Sequence, residues 1–207
     1  MEILTDKLYF PPLEKADRHG LIALGGDLSV ARLQLAYHSG IFPWFNEDEP
    51  ILWWAPPKRM VLFPDEIRIS KSMRSILRKG IFSVTTNQAF DAVITNCSKI
   101  YRPDQHGSWI SNEMRAAYCQ LHEQGIAKSI EVWHNGELAG GLYGIDLGHV
   151  FSGESMFSIV PNASKIAFIE LAKTYELVDC QIYNDHLESL GCREIPRKQF
   201  MQILSKR

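Results

Sequence analysis

The stretch "SIEVWHNGELAGGLYGIDLGHVFSGESMFS", Ser129 to Ser158, decides the fold. Asn135-Gly136 is a strong signal for a two-residue hairpin turn, and Leu147-Gly148 marks a second turn. Apolar runs flank both turns. We therefore predict three consecutive strands that pair as an antiparallel meander.

The third of these strands carries a glycine and an acid at its centre. Gly153 weakens a strand, and burying the Glu154 carboxylate costs free energy unless a partner satisfies it. Both residues therefore need a reason beyond packing.

Helices are predicted before and after the meander along the chain. Three apolar patterns of helical period each follow a serine suited to cap a helix and stop near a glycine. The serines are Ser29, Ser70 and Ser111, and the glycines are Gly40, Gly80 and Gly125. Asn162 opens a further helix, residues 177–183 read as the next strand, and a last short strand and helix follow. The sum is an α+β fold with helices packed on a largely antiparallel sheet.

The first 57 residues differ in character from the rest. Residues 40–59 are dense in aromatic residues and proline, which favours a loop, and they hold three of the five tryptophans. Pro56-Pro57 is a reasonable boundary between two domains. We predict a small N-terminal domain over residues 1–57, which contributes an aromatic loop to the site, and a second domain over residues 58–207.

Composition sets limits on the class of protein. The chain has 207 residues, 45% of them hydrophobic, and a formal net charge of −2. These values are ordinary for a globular enzyme, and the net charge alone does not indicate a nucleic-acid-binding protein. The four cysteines form no CxxC pair and the histidines lack ligand spacing, so we expect reduced thiols and no metal. The polar N-terminus and the lack of a long apolar run predict a cytoplasmic protein without a membrane segment.

The helix predicted after Ser70 has a basic face. Lys71, Arg74 and Arg78 lie at i, i+3 and i+7, and residues 67–90 contain five basic residues and no acidic one. This face is either a solvated helix surface or a contact for a polyanion, and both readings stay open.

Two polar residues interrupt the strand predicted at 177–183. Asp179 and Gln181 share one of its faces, and an acid beside an amide on a core strand needs partners. They form either a satisfied network at a sheet end or a site that handles amine protons. Trp44 and Trp109 lie in loops beside glycine and proline, which suggests an apolar pocket for a small ligand.

Ten strings carry a resemblance to a known family: "GLIALGGDLS", "YHSGIFPWF", "PILWWAPPKR", "GSWI", "SIEVW", "GGLYG", "SGESMFS", "NASK", "DCQIYNDH" and "SLGCREIPR". In this order they resemble the bacterial leucyl/phenylalanyl-tRNA–protein transferases, from about residue 20 to about residue 200. The resemblance implies a small N-terminal domain followed by a domain like the GNAT acyltransferases.

The resemblance also implies an activity. Members of the family are aminoacyltransferases that take leucine or phenylalanine, and also methionine, from aminoacyl-tRNA. They join it to a protein whose N-terminus is arginine or lysine, which marks that protein for degradation by the N-end rule pathway. The implied partners are these charged tRNAs, through their 3′ aminoacyl-adenosine end and acceptor arm, and the acceptor proteins. No cofactor is implied, and we expect a monomer because no long exposed apolar helix invites a partner.

Site residues carry over from the same resemblance. The amino-acid pocket would contain Trp44, Trp109, Leu142, Phe151, Gly153, Leu171 and Val178. The polar site would contain Glu154, Asp179, Gln181 and Asn184. The tRNA acceptor arm would meet Lys71, Arg74 and Arg78.

Asp179 and Gln181 are the residues expected to act in catalysis. Gln181 would accept a hydrogen bond from the attacking amine, and Asp179 would orient and polarise Gln181. Glu154 would pair with the cationic side chain of the acceptor. The family pocket needs Phe151 and Glu154 together, although strict alternation puts them on opposite faces. We therefore predict a β-bulge at residue 153 or 155, which makes the ladder irregular over residues 153–155.

Two other functions compete with this one. An acyltransferase that uses acetyl-CoA needs a glycine-rich pyrophosphate loop after the central strand, where this chain reads "SIVPNASKIAF" without a glycine. A non-catalytic RNA-binding module would use the basic helix but would leave Asp179, Gln181 and Glu154 unexplained.

Overall fold

A computed structural model of the protein describes residues 2–100 and 110–206. Its strands are β1 (Glu2–Leu4), β2 (Leu21–Gly25), β3 (Phe42–Pro43), β4 (Leu52–Trp54), β5 (Lys58–Leu62), β6 (Phe82–Thr86), β7 (Ala127–His134), β8 (Glu137–Asp146), β9 (Val150–Ser158), β10 (Leu177–Gln181) and β11 (Arg193–Pro196). Its α-helices are α1 (Val30–His38), α2 (Lys71–Lys79), α3 (Phe90–Lys99), α4 (Asn112–Glu123), α5 (Ala163–Leu171), α6 (Asp185–Ser189) and α7 (Arg197–Leu204).

The first sheet is built from the N-terminal part of the chain. Its strand order is β1-β2-β4-β3, with β1 parallel to β2 and the other neighbours antiparallel. Trp53 in β4 is fully buried, and its indole N–H donates to the carbonyl oxygen of Gly25 at 2.8 Å. The loop prediction is wrong for β3 and β4, because these short segments find backbone partners in each other and in β2.

The second sheet has the order β11-β5-β10-β9-β8-β7-β6. Among the described strands, all neighbours in it are antiparallel except β9 and β10. Strands β7, β8 and β9 form the predicted meander, and the first turn has Asn135 and Gly136 at positive φ, as a tight hairpin requires. The prediction of an α+β fold with a largely antiparallel sheet is confirmed.

Serine side chains begin three of the helices as predicted. The hydroxyl oxygens of Ser29, Ser70 and Ser111 accept hydrogen bonds from the backbone N–H groups of Arg32, Met73 and Met114, respectively. Each bond satisfies a donor that would otherwise lack a partner in the first turn. Asn162 differs, because it precedes α5 at a φ of 76° and its side chain caps nothing.

Strand β10 ends earlier than the sequence indicates. Residues 177–183 were expected to be extended, but β10 stops at Gln181, whose φ is +65°. A left-handed residue that is not glycine turns the chain out of the sheet at some cost in free energy. Residues 182–184 therefore leave the sheet and lead into α6.

Of the three hydrophobic clusters in the described part of the chain, two position the site. One crosses from the first sheet to the second and includes Ile22, Trp53, Tyr118, Tyr143 and Phe157. The other joins the side chains of β5, β9 and β10 to those of α2 and α5. A cavity opens where these two clusters meet, and residues of both clusters line it.

Candidate active site

A cavity of about 360 Å³ opens between the β3 segment and the strands β8, β9 and β10. That volume suits a small ligand. The cavity brings together eight of the residues predicted from the sequence, which are Trp44, Leu142, Gly153, Glu154, Leu171, Val178, Gln181 and Asn184. Asp179 and Phe151 do not line it. Trp109 lies outside the residues that the structure describes.

A bulge in β9 aims Glu154 at this cavity. Tyr143 is paired with Ser155 and the next residue, Gly144, with Gly153, so Glu154 is an extra residue in the ladder. The predicted irregularity over residues 153–155 is confirmed. The bulge places the carboxylate in the cavity wall, although Phe151 stays beneath the wall in the core.

Glu154 is held by neutral donors. Its Oε1 accepts from the Gln181 amide at 2.7 Å, and its Oε2 accepts from the Tyr118 hydroxyl at 2.9 Å. The Tyr118 hydroxyl is in turn hydrogen-bonded to that of Tyr37. Among the described residues Glu154 has no cationic partner.

Burial decides the protonation of this network. It raises the pKa of Glu154 to about 7, although the polar side chains of Tyr37, Tyr118 and Gln181 oppose this effect. Burial also raises the pKa values of the Tyr37 and Tyr118 hydroxyls well above their usual range, so both keep their protons. Glu154 is therefore an acid that titrates near neutral pH, next to a pocket able to admit a ligand.

Asp179 lies behind the cavity wall. Its two oxygens receive Arg59 Nε and Nη2, each at 2.7 Å, in a bidentate pair. Oδ2 also accepts from the Ser152 hydroxyl at 3.0 Å, and Oδ1 from the Gln181 backbone N–H at 2.9 Å. With four donors the carboxylate is fully satisfied, and it contacts Gln181 through the main chain rather than through the side-chain amide.

Gln181 lies between the two acids. Its backbone is bound by Asp179 and its side-chain nitrogen by Glu154, which together hold the residue at its positive φ. Such a conformation costs about 1–3 kcal/mol and persists only where surrounding contacts impose it. The carbonyl oxygen of the amide accepts none of the hydrogen bonds found among the described residues, so it can serve a ligand.

Part of the wall is apolar. Leu142, Leu171 and Val178 line it from one buried cluster. Trp44 also lines the cavity, just after β3, and its backbone carbonyl accepts from the indole N–H of Trp54 at 2.7 Å. The lining can therefore take an apolar side chain, and it also presents an acid and an amide.

Asn184 lines the cavity mouth but is already engaged. Its Oδ1 accepts from the backbone N–H groups of His186 and Leu187 at 3.0 and 3.2 Å, and so caps α6. The side chain fixes the direction in which the chain leaves β10.

The basic residues of α2 lie outside the cavity. Lys71, Arg74 and Arg78 are exposed, and in the described part of the chain none of them forms an ion pair. Arg74 Nε donates to the carbonyl oxygen of Ile69 at 3.1 Å. Their charges are thus available to an external anion.

Sequence reasoning missed Arg59, Ser152 and the hydroxyl groups of Tyr37 and Tyr118. An arginine that opens the apolar run "RMVLF" was a signal, because a buried arginine must have a partner. The tyrosines look like ordinary core residues on α1 and α4, and nothing local marks their hydroxyls. No group of metal-ligating side chains was found in residues 2–100 and 110–206, and no helix there is long and apolar enough to cross a membrane.

Comparison with known proteins places the chain among the aminoacyltransferases. Residues 61–205 match the family model described as leucyl/phenylalanyl-tRNA protein transferase, and residues 26–57 match the model of that protein's N-terminal domain. The chain belongs to the leucyl/phenylalanyl-tRNA protein transferase family, as the resemblance of its sequence implied.

Individual relatives agree with this placement. The leucyl/phenylalanyl-tRNA--protein transferase of Flavobacterium johnsoniae is 65% identical over 212 residues, and that of Flavobacterium psychrophilum is 59% identical over 211 residues; each comparison covers 100% of both chains. Among solved structures, a GCN5-related N-acetyltransferase from Kribbella flavida is similar over 79% of this chain and 59% of its own, with 8% identity and a TM-score of 0.38.

Proposed function

We propose that this protein transfers leucine or phenylalanine, and also methionine, from aminoacyl-tRNA to the N-terminal arginine or lysine of an acceptor protein, and so marks the acceptor for degradation. The observation that carries the proposal is a cavity whose lining combines apolar side chains with the Glu154 carboxylate, which has no cationic partner among the described residues. Such a cavity suits two substrates at once, an apolar aminoacyl group and a basic residue.

The apolar part of the cavity lining would hold the aminoacyl side chain. Trp44, Leu142, Leu171, Val178 and Gly153 line it; Phe151 supports it from beneath, and Trp109 completes the set implied by the family. A hydrophobic slot discriminates one methylene by only about 1–3 kcal/mol. We expect a graded preference among leucine, phenylalanine and methionine.

Glu154 would bind the acceptor's cationic side chain. A guanidinium or ammonium group would supply the positive partner of this buried carboxylate, and the bond between them would be charge-assisted. Because the pKa of Glu154 is about 7, the arriving cation also favours the ionised form of the acid. Asn184 holds the chain beside this position.

The reaction is the aminolysis of an ester. The acceptor's α-amine attacks the carbonyl carbon of the aminoacyl ester, the new C–N bond forms, the C–O bond to the ribose 3′-oxygen breaks, and the proton that the amine loses ends on the released 3′-hydroxyl. An α-amine with a pKa of about 7.7–8.0 is already partly neutral at pH 7, so positioning is the main requirement. The Gln181 carbonyl would accept a hydrogen bond from this amine, and Asp179 would fix the Gln181 main chain.

The tRNA would approach along α2. Its exposed Lys71, Arg74 and Arg78 would contact phosphates of the acceptor arm. Residues 1–57 and 58–207 would form the two domains, since the two sheets separate at Pro56-Pro57. We infer that the enzyme acts as a monomer in the cytoplasm.

One assay tests the proposal. Labelled leucine on tRNA is mixed with the enzyme and a protein that begins with arginine, and a matched protein that begins with alanine is the control. We expect stable label at the N-terminus of the arginine protein only. Binding of the tRNA without transfer would contradict the proposal and favour an RNA-binding module, and acetyl transfer from acetyl-CoA would favour the other rival.

A further inference from the structure

Arg59 is a buried charged group that the proposed chemistry leaves unused. It is the second residue of β5, and only 2% of its side chain is exposed. A charge removed so completely from water requires several partners. Arg59 finds them on three different segments of the chain.

The guanidinium first binds the end of β10. Its Nε and Nη2 donate to the two oxygens of Asp179, each at 2.7 Å. Oδ1 of the same carboxylate accepts the Gln181 backbone N–H at 2.9 Å, so a chain of hydrogen bonds runs from Arg59 through Asp179 to Gln181.

The third nitrogen binds the segment that leads to the opposite wall. Nη1 donates to the carbonyl oxygen of Gly40 at 3.1 Å. Gly40 has a φ of 71°, and a Cβ there would come within 2.4 Å of Met201 Sδ, so a side chain would disturb this approach. The backbone runs from Gly40 into β3 and to Trp44, which lines the cavity.

Two aromatic rings hold the plane of the guanidinium. The Phe42 ring and the Phe200 ring each lie 4.7 Å from Arg59 Cζ. Phe42 itself lines the cavity, and Phe200 belongs to α7 at the far edge of the sheet. Aromatic faces favour a cation, and the planar guanidinium fits between them as an ammonium cannot.

We propose that Arg59 is a positioning residue for aminoacyl transfer, which keeps the Gln181 side of the cavity in register with the Trp44 side. It touches no substrate; it acts through Asp179 on one wall and through Gly40 and Phe42 on the other. The inference rests on the proposed function, because the quantity it controls is the distance between the bound ester and the attacking amine.

The first test is Arg59→Lys. Lysine keeps the charge but cannot make two parallel bonds to Asp179 and a third bond to Gly40. We expect kcat for leucine transfer to fall about 100-fold, because a displacement of about 1 Å between reacting groups costs that much, while the Kd for aminoacyl-tRNA stays near wild type. Arg193→Lys is the matched control, because Arg193 forms a bidentate pair with Glu66 and packs on Phe63 but is 48% exposed and lies outside the cavity.

Chemical rescue separates positioning from stability. Arg59→Ala leaves a space between two rings that a free guanidinium ion can fill. We expect about 50 mM guanidinium chloride to restore much of the lost transfer, far below the molar concentrations that unfold proteins, and urea at the same concentration to restore none. A variant that is merely destabilised would gain nothing from a denaturant.

A double-mutant cycle gives the remaining evidence. If Arg59 acts through Gln181, then Arg59→Lys should cost little in kcat once Gln181→Ala is present. Wild-type transfer by Arg59→Lys, or full additivity in the cycle, would overturn the inference. Loss of transfer that follows the loss of folded protein, with no guanidinium rescue, would assign Arg59 to the fold alone and also overturn it. An inactive wild-type enzyme would instead count against the proposed function.

Discussion

Asp179 and Glu154 are buried acids on neighbouring strands, and their surroundings are opposite in kind. Asp179 receives four hydrogen bonds, two of them from the Arg59 guanidinium, and does not reach the cavity. Glu154 receives bonds from the Gln181 amide and the Tyr118 hydroxyl, has no cationic partner in the part of the chain that the structure describes, and faces the cavity. The difference shows how two neighbouring strands can pair one acid with a buried cation and leave a second acid ready for a ligand's charge.

Breaking the ion pair between Asp179 and Arg59 should have the largest effect on the stability of the protein. Asp179→Ala leaves Arg59 buried without its anion, so we expect the free energy of unfolding to fall by about 3–5 kcal/mol. Urea denaturation measures it. Glu66→Ala breaks the exposed pair with Arg193 and should cost only about 0–1 kcal/mol. Equal losses in the two variants would show that burial does not distinguish these pairs.

Glu154 should affect stability through pH. Its pKa is raised from 4.5 to about 7 in the folded protein, so the folded state holds a proton that the unfolded chain has lost between these values. The contribution is fully present below pH 4.5 and is lost as pH rises through 7, by on the order of 3 kcal/mol. The measurement is the difference in unfolding free energy between wild type and Glu154→Gln across this range. A difference that does not change with pH would contradict the assignment.

The same substitution should weaken use of the acceptor. Without the carboxylate, the cationic side chain of the acceptor loses its charged partner, and we expect kcat/KM for an arginine-started acceptor to fall about 30-fold, or about 2 kcal/mol. The Kd for aminoacyl-tRNA should not change. Titration of the acceptor's own amine affects both enzymes equally, so the ratio of wild type to Glu154→Gln should rise with pH through 7. A ratio that stays constant with pH would contradict the proposed role of Glu154 in acceptor binding.

Neither acid should contribute to tRNA affinity, which sharpens the contrast with α2. Replacing Lys71, Arg74 and Arg78 by Gln should make the plot of the logarithm of the tRNA association constant against the logarithm of the salt concentration less steep. The magnitude of its negative slope should fall by about 2–3, since each lost phosphate contact contributes about 0.7–0.9. Lys15→Gln and Lys173→Gln, which remove exposed charges already paired with Glu2 and Glu170, are the controls. An unchanged slope in the triple variant would show that the basic face of α2 does not contact tRNA phosphates.

Local signals account for the parts of the fold that the sequence predicted. Capping serines, Asn135-Gly136 and alternating patterns depend on residues a few positions apart, and the structure has the helices and the meander they indicate. The bulge at Glu154 was predicted from the family resemblance, which needed Phe151 and Glu154 at one pocket; the bulge is present, although Phe151 does not line the cavity.

The partners of the acids could not be predicted in the same way. Arg59 and Asp179 are 120 residues apart, and they meet only because β5 and β10 pair in one register. The positive φ of Gln181 has no signal in its residue type, since glutamine rarely adopts it. Pairwise contact between distant strands is a property of the assembled sheet, and no short window of sequence contains it.

The hydrophobic cluster shared by the two sheets has a consequence for the order of folding. The N-terminal sheet is synthesised first, yet its cluster includes Tyr118, Tyr143 and Phe157, which are translated about a hundred residues later. At about 5–20 residues per second, the early sheet waits several seconds or more on the ribosome before its core is complete. During that interval Trp53 and Ile22 lack their final neighbours. The nascent chain therefore depends on its later half for protection, and the two halves should mature as one cooperative unit.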